Sequence, residues 1–287
     1  MFNVGPVLDG EFFTGTPEEM FRNAPKKPTI AGVMALEGML WIQPILPFPL
    51  VFYIDIDKFN FTTFKEKVKI ISKGSFYLRP DLVENLILQE YAWSKIDVRD
   101  NDKLVYQYAK LVGDELFVKG VVKENALRTK NKWPVWFFQF EYFNETLYPI
   151  PKAKYKGAFH GMELEFVHGR PSEFYKNGFS EEEWKLSDTV VTMFTNFAKY
   201  GDPTPQPVNG IKWEKRSEAK PLNYLNINLK SEMRDSYRRG MVTFWLNLMP
   251  NMEYKLCKES AASKTSFALN SIFLVSVFVL IANVFSV

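Results

Sequence analysis

Apolar positions follow two periods along the chain. Thr29-Ile-Ala-Gly-Val33 is a short apolar run between Pro28 and a turn, which fits a buried parallel strand. Val135-Trp-Phe-Phe-Gln-Phe-Glu-Tyr142 predicts a second strand, with Trp136, Phe138, Phe140 and Tyr142 sharing one face at period two. Leu222-Asn-Tyr-Leu-Asn-Ile227 is a candidate edge strand. Helical spacing predicts helices over 61–71, 81–93 and 102–128, with Leu104, Val105, Tyr108, Val112 and Phe117 recurring along the last and Gly113 marking a candidate break in it. Pro17-Glu-Glu-Met20 reads as a helix start. Ser180-Glu-Glu-Glu183 reads as a capping box opening a helix lined by Leu186, Val190, Met193, Phe194 and Phe197 and stopped by Gly201. A last amphipathic helix is expected over 234–248, with Met241, Phe244, Trp245 and Leu248 on its apolar side. No internal repeat is present.

Two stretches break these periods. Trp41 to Val51 is apolar but holds Pro44, Pro47 and Pro49, which argues against a regular helix or central strand. Such a run either walls a pocket or fills core. At the other end, a polar stretch over 255–266 leads into an apolar tail over 267–287, near the roughly 20 residues that span a bilayer. The small residues Ser260-Ala-Ala-Ser263, a short spacer and that tail match a glycolipid-anchor signal, with a plain C-terminal membrane helix as the rival. Met1-Phe-Asn-Val-Gly-Pro-Val shows no basic region before an apolar run, so no signal peptide is expected. A secretory tail without a secretory start predicts that further chain precedes these residues. The organisation expected is a partial folded domain over 1–250, a juxtamembrane linker over 251–266 and the tail over 267–287.

Composition narrows the function classes. With 46% hydrophobic and 16% aromatic residues, 287 residues suffice for one large core or two small ones. Thirty-six basic and 33 acidic residues give a net charge of only +3, without the concentrated basic stripe of a nucleic-acid binder. Cys257 is the single cysteine, so no internal disulfide forms, although it could join two chains. With His160 and His168 as the only histidines, neither a zinc site nor another cofactor is expected. Asn60-Phe-Thr62 and Asn144-Glu-Thr146 are sequons, so Asn60 and Asn144 are candidate glycosylation sites.

The chemistry concentrates in Lys154-Tyr-Lys-Gly-Ala-Phe-His-Gly-Met-Glu-Leu-Glu-Phe-Val-His-Gly-Arg-Pro171. His160 lies between Gly157 and Gly161, in a low-bulk loop that can bring an imidazole close to another group. A strand, a connection and a lone histidine is where an α/β-hydrolase carries its base; a structural loop histidine is the plainer reading. Glu37 follows the strand of Thr29 to Val33 directly, where open α/β sheets place functional groups; a surface turn carboxylate is the plainer reading there.

Together the segments from Pro6 to Pro250 resemble the C-terminal half of a type B carboxylesterase, the family that includes the cholinesterases. Pro6-Val-Leu-Asp-Gly10 is similar to the segment leading to the family's catalytic acid, and Ile30-Ala-Gly-Val-Met-Ala-Leu-Glu-Gly38 to its acid loop. Gly113-Asp-Glu-Leu-Phe117 is similar to its Gly-Asp-x-x-Phe helix, and Gly157-Ala-Phe-His-Gly-Met-Glu-Leu-Glu-Phe-Val167 to its histidine loop. Asn196-Phe-Ala-Lys-Tyr-Gly-Asp-Pro203 and Phe244-Trp-Leu-Asn-Leu-Met-Pro250 resemble its closing segments. The resemblance implies the later part of an α/β-hydrolase fold, with an incomplete central sheet and flanking helices. It makes Glu37 the implied acid and His160 the implied base of a Ser-Glu-His triad. In the family the serine precedes both, yet no Gly-x-Ser-x-Gly occurs in these residues, and Gly74-Ser75-Phe76 lacks the second glycine.

Smaller departures are Leu36 where relatives often carry a second acid, Met162 after the histidine loop's glycine, and the lone Cys257 in place of a disulfide. The implied function is a secreted or membrane-attached carboxylic-ester hydrolase whose nucleophile lies outside this stretch. Its partners would be an ester substrate and, through the tail, a membrane. The alternative is a cholinesterase-like cell-surface adhesion or interaction protein that has lost catalysis. The stretch taken alone is expected to expose apolar surface and to be poorly stable.

Overall fold

The computed structural model describes residues 8–43, 52–74, 77, 79–145, 153–171 and 178–251. Pro6, most of the proline-rich run after Trp41, Ser75, Thr146, Cys257 and the apolar tail lie outside the described residues. No described helix is long and apolar enough to cross a membrane.

Helix α1 (Pro17–Asn23) opens with a capping box: Thr16 accepts from the Glu19 amide, and the Glu19 carboxylate accepts from the Thr16 amide at 2.8 Å. Strand β1 (Thr29–Met34) follows. Helices α2 (Phe61–Gly74), α3 (Pro80–Leu88), α4 (Asn101–Gly113) and α5 (Lys119–Lys130) then form the crossover to β2 (Val135–Phe140). Helices α6 (Glu163–His168) and α7 (Glu181–Tyr200) lead to β3 (Tyr224–Ile227), which turns back as β4 (Glu232–Arg234) before α8 (Arg239–Thr243). The sheet order is β1-β2-β3-β4, parallel through the first three strands and antiparallel at the last. This is an α/β arrangement, a mixed sheet with flanking helices.

The structure differs from the periodic reading in four places. Gly113 does not break its helix: α4 runs through a π-type turn, Asp114–Val118, into α5. Leu222 to Ile227 is not an edge strand, because β3 pairs on both sides. The edge is β4, which takes Arg234 out of the predicted last helix. Three residues are too few for a period to show. The stretch after His160, expected as loop, forms α6, a six-residue helix closed by Gly169 at φ 62°. Finally, β2 is buried on both faces, with Phe137 and Phe140 at 0% exposure. A central parallel strand covered by helices loses the alternation that marks a half-exposed one.

A buried ion pair fixes the C-terminal segment to the crossover. Arg238 donates from both terminal nitrogens to Asp114, at 2.5 and 2.6 Å. Tyr91 donates to the same carboxylate at 2.7 Å and accepts from the Trp245 indole at 2.7 Å. Asp114 is 1% exposed and the Arg238 side chain 23%, so removing the carboxylate leaves a largely buried guanidinium and the buried Tyr91 hydroxyl without their shared partner. Asp114→Ala is therefore expected to lower the unfolding free energy by about 3–5 kcal/mol, read from the shift of a urea unfolding curve.

Candidate functional site

The acid loop grows out of β1. After Met34 the chain stays tied to β2, with the Ala35 amide donating to the Phe140 carbonyl at 2.9 Å. The next amide, Leu36, donates to the Ala158 carbonyl at 2.8 Å, two residues before His160. The chain then makes a single 3-10 turn, Glu37–Met39. Two glycines let that turn press against α4. A Cβ on Gly38 would overlap the Ala109 carbonyl, and one on Gly113 would sit 2.7 Å from the Gly38 nitrogen and 2.9 Å from the Glu37 Cβ. Gly113, the candidate helix break, is thus a point of close backbone approach.

This places Glu37, 5% exposed, beside His160, which is 123 residues further on. Glu37 Oε2 lies 2.9 Å from His160 Nδ1, and Glu37 Oε1 accepts from the Met34 amide at 2.8 Å. With Nδ1 protonated toward the carboxylate, Nε2 carries the lone pair of the neutral ring. The Phe117 ring stacks on the imidazole at 4.2 Å and 24°, and the Trp41 indole lies 6.0 Å from it. Phe117 belongs to the π-type turn that also turns Asp114 toward Arg238, so one irregular turn serves the site and the fold.

The histidine loop is held from behind. The Met162 amide donates to the Phe159 carbonyl at 3.2 Å, and Gly161 takes φ 86°. Helix α6 is anchored by Phe166, fully buried and stacked on Phe179 at 4.8 Å, and by Ser187 Oγ donating to the Phe166 carbonyl at 3.2 Å.

Burial works against a charged His160. The hydrogen bond to Glu37, with the charges of Glu37 and Glu163, outweighs it and holds the pKa above its ordinary value. Glu163 is the group that periodicity and motif missed as part of the site. Burial first, and then the neighbouring Glu37 carboxylate, pushes its pKa up to about 7.

The second histidine and the two sequon asparagines stand apart. His168 is exposed at the far end of α6. Asn60 caps α2: its side-chain oxygen accepts from the Thr62 and Thr63 amides at 2.9 and 3.2 Å. Asn144 is half-buried, and its side-chain nitrogen donates to Glu183 at 3.1 Å. Among the described residues no cluster of three or more potential metal ligands occurs.

Such a pair, an acid at the end of one parallel strand and a histidine in the loop after the next, can orient an imidazole as a proton acceptor. Residues 1–245 match the model of the carboxylesterase family, and the chain belongs to that family. It is 28% identical over 246 residues to esterase cest-33 of Caenorhabditis elegans, covering 83% of this chain and 42% of that protein. It is 28% identical over 272 residues to gut esterase 1 of Caenorhabditis briggsae, covering 91% of this chain and 47% of that protein. It is also 26% identical over 268 residues to neuroligin-2 of Homo sapiens, covering 86% of this chain and 31% of that protein. The chain thus spans less than half the length of these relatives.

Glu37→Gln keeps the shape and removes the charge. The His160 midpoint, followed by NMR of its ring protons, is expected to fall below that of the unmodified chain. The sign for stability follows. A histidine pKa raised by folding adds stability that is complete below the ordinary value of 6.5 and fades as pH climbs through the raised one. Glu37→Gln should flatten that slope in unfolding measurements across the same window.

Proposed function

We propose that this chain carries the acid and the base of a serine-dependent carboxylic-ester hydrolase, Glu37 and His160, with the nucleophile supplied by residues outside it. The observation that carries the reading is the 2.9 Å contact between Glu37 Oε2 and His160 Nδ1. The chain order, acid then histidine, is the α/β-hydrolase order, in which the serine comes first. In the whole protein His160 Nε2 would take the serine proton as the hydroxyl attacks the ester carbonyl, then return it to the departing alcohol. Glu37 would hold the imidazole in the Nδ1–H tautomer and stabilise the imidazolium. Phe117 and Trp41 would wall the ring and limit water around it.

The sheet fits the same reading. Strands β1 to β3 run parallel, and β1 pairs with β2 alone among the described residues. This reads as the later part of an α/β-hydrolase sheet that continues past β1. The polar segment over 251–266 and the apolar tail over 267–287 support a reading as linker and membrane attachment, in a protein that is cell-surface or secreted. The second reading, a non-catalytic interaction protein, is favoured by the relatives named as neuroligins rather than esterases.

Purified alone, the chain is expected to hydrolyse p-nitrophenyl acetate no faster than its His160→Ala variant. Turnover that depends on both Glu37 and His160 would overturn the proposal. The whole protein distinguishes the two readings: a Gly-x-Ser-x-Gly ahead of Glu37 with His160-dependent turnover supports the hydrolase, and a substituted serine supports the interaction protein.

The sequons separate on structure. Asn60 is exposed; its oxygen does the capping and its nitrogen makes one solvent-exposed bond, to the Lys58 carbonyl at 3.3 Å, so it can carry a sugar without loss of the cap. The Asn144 nitrogen is committed to Glu183. Expressed through a secretory route, the protein is expected to carry glycan at Asn60 in preference to Asn144, as read by peptide mass mapping after enzymatic deglycosylation.

A further inference from the structure

Glu37 and His160 stand beyond the carboxyl ends of β1 and β2. Beyond the amino ends, four segments meet that the acid–base scheme leaves unused. The Thr29 amide donates to the Pro134 carbonyl at 2.9 Å, and the Arg216 amide to the Val135 carbonyl at 2.7 Å. A Cβ on Gly201 would lie 3.4 Å from the Pro28 side chain. An open cleft of about 460 Å³ is lined in part by Pro134, Gly201, Lys212 and Lys215, with Asp202 and Glu214. Each segment brings exposed lysines: Lys26 and Lys27 ahead of β1, Lys130 and Lys132 ahead of β2, Lys199 ahead of Gly201, and Lys215 beside Arg216. None of these six forms an ion pair among the described residues. Asp202 and Glu214 are taken by Lys212 at 3.7 Å and Lys220 at 2.9 Å. The other acids of this end, Glu218 and Asp235, are exposed. Six unpaired lysines against these two acids exceed the net +3 of the whole chain, so its positive charge is gathered here. Arg216 adds a buried cation without a carboxylate. Its guanidinium lies 3.9 Å from the Phe137 ring centre, Nε donates to the Asn223 carbonyl at 3.1 Å, and Nη2 is shielded from solvent without a partner.

We propose that this end of the sheet, opposite the Glu37–His160 pair, is a docking surface for a linear sulfated polysaccharide. The lysines follow a line. Lys27, Lys132 and Lys215 belong to backbone segments that lie side by side, at the spacing of neighbouring strands, about 5 Å. A polymer with a fixed negative charge on every unit meets several of them at once. A lone phosphate would meet only flexible lysine stems, with no buried donor aimed at it. Other polyanions fit less well. Successive bases of a single-stranded nucleic acid stack on exposed aromatic faces. Here Trp133, Trp136 and Trp213 are buried, which leaves Tyr200 as the large exposed ring among the lysines. A lipid surface is held by an apolar face as well as by charge, and one ring does not make such a face. A sheet that continues past β1 extends sideways, so the strand ends stay open. The proposal needs no turnover and stands or falls apart from the hydrolase reading.

The test is calorimetric titration of the intact chain with heparin, the sulfated probe, from about 0.15 M salt upward. Binding is expected, weakening as salt rises. The triple variant Lys27→Glu, Lys132→Glu, Lys215→Glu should bind at least about tenfold more weakly and with a shallower salt dependence. The control triple Lys65→Glu, Lys69→Glu, Lys73→Glu makes the same change of charge at exposed positions of α2 and should bind as the unmodified chain does. No binding by the unmodified chain, or an equal loss in both triples, would overturn the proposal. So would tighter binding to phosphatidylserine vesicles or to single-stranded DNA than to heparin. If the first triple does not fold, acetylation of the unmodified chain decides. Bound heparin should then protect Lys27, Lys132 and Lys215 but not Lys65, Lys69 and Lys73, as read by peptide mass mapping, and equal labelling of both sets sinks the idea.

Discussion

A carboxylate buried to the degree of Glu37 needs partners for both of its oxygens, and much of the site follows from how these are found. Oε1 takes the Met34 amide, which closes the turn on its own strand. Oε2 takes the His160 ring, which ties that turn to a loop 123 residues away. Neither bond forms unless the Glu37 turn sits low against α4, and it sits low because positions 38 and 113 have no side chain. The amide of Leu36 on the Ala158 carbonyl then fixes the height of the histidine loop. A buried charge, two glycines and one backbone bond thus define where an imidazole stands.

The helix carrying Gly113 also explains the irregular turn beside it. A regular α-helix places residues 114 and 117 on neighbouring faces with fixed spacing. Here Asp114 must meet Arg238 while Phe117 must lie flat on His160. Widening the helix over 114–118 meets both demands without ending it. Arg238 accepts a left-handed backbone, φ 33°, to reach its partner, a cost the bidentate buried pair offsets.

The sequence made the long elements and the pairing candidates visible, for reasons that differ. Helix α7 announces itself through a capping box, an apolar face and a glycine stop, all local signals. Glu37 and His160 stood out through their positions after strands and between glycines, and through order along the chain. What stayed hidden was short or two-sided. Strand β4 has three residues and α6 six, too few to repeat a period, and β2 was legible as a strand while its apolar residues on both faces hid that both are covered. Glu163 was hidden for another reason: a glutamate at the start of a helix is ordinary by sequence, and only the burial of its Oε2 without a partner among the described residues makes it unusual.

That division bears on how the retained acid and histidine are weighed. Read from sequence, keeping both residues favours a hydrolase, since an interaction protein has no use for a triad. The structure gives Glu37 work of its own, because its Oε1 closes the turn after β1 and its backbone packs on α4. A protein that had lost its nucleophile would still gain stability from Glu37. His160 has structural work as well, since its ring is the partner of the buried Glu37 Oε2. The presence of both residues therefore fits either reading, and the nucleophile decides between them.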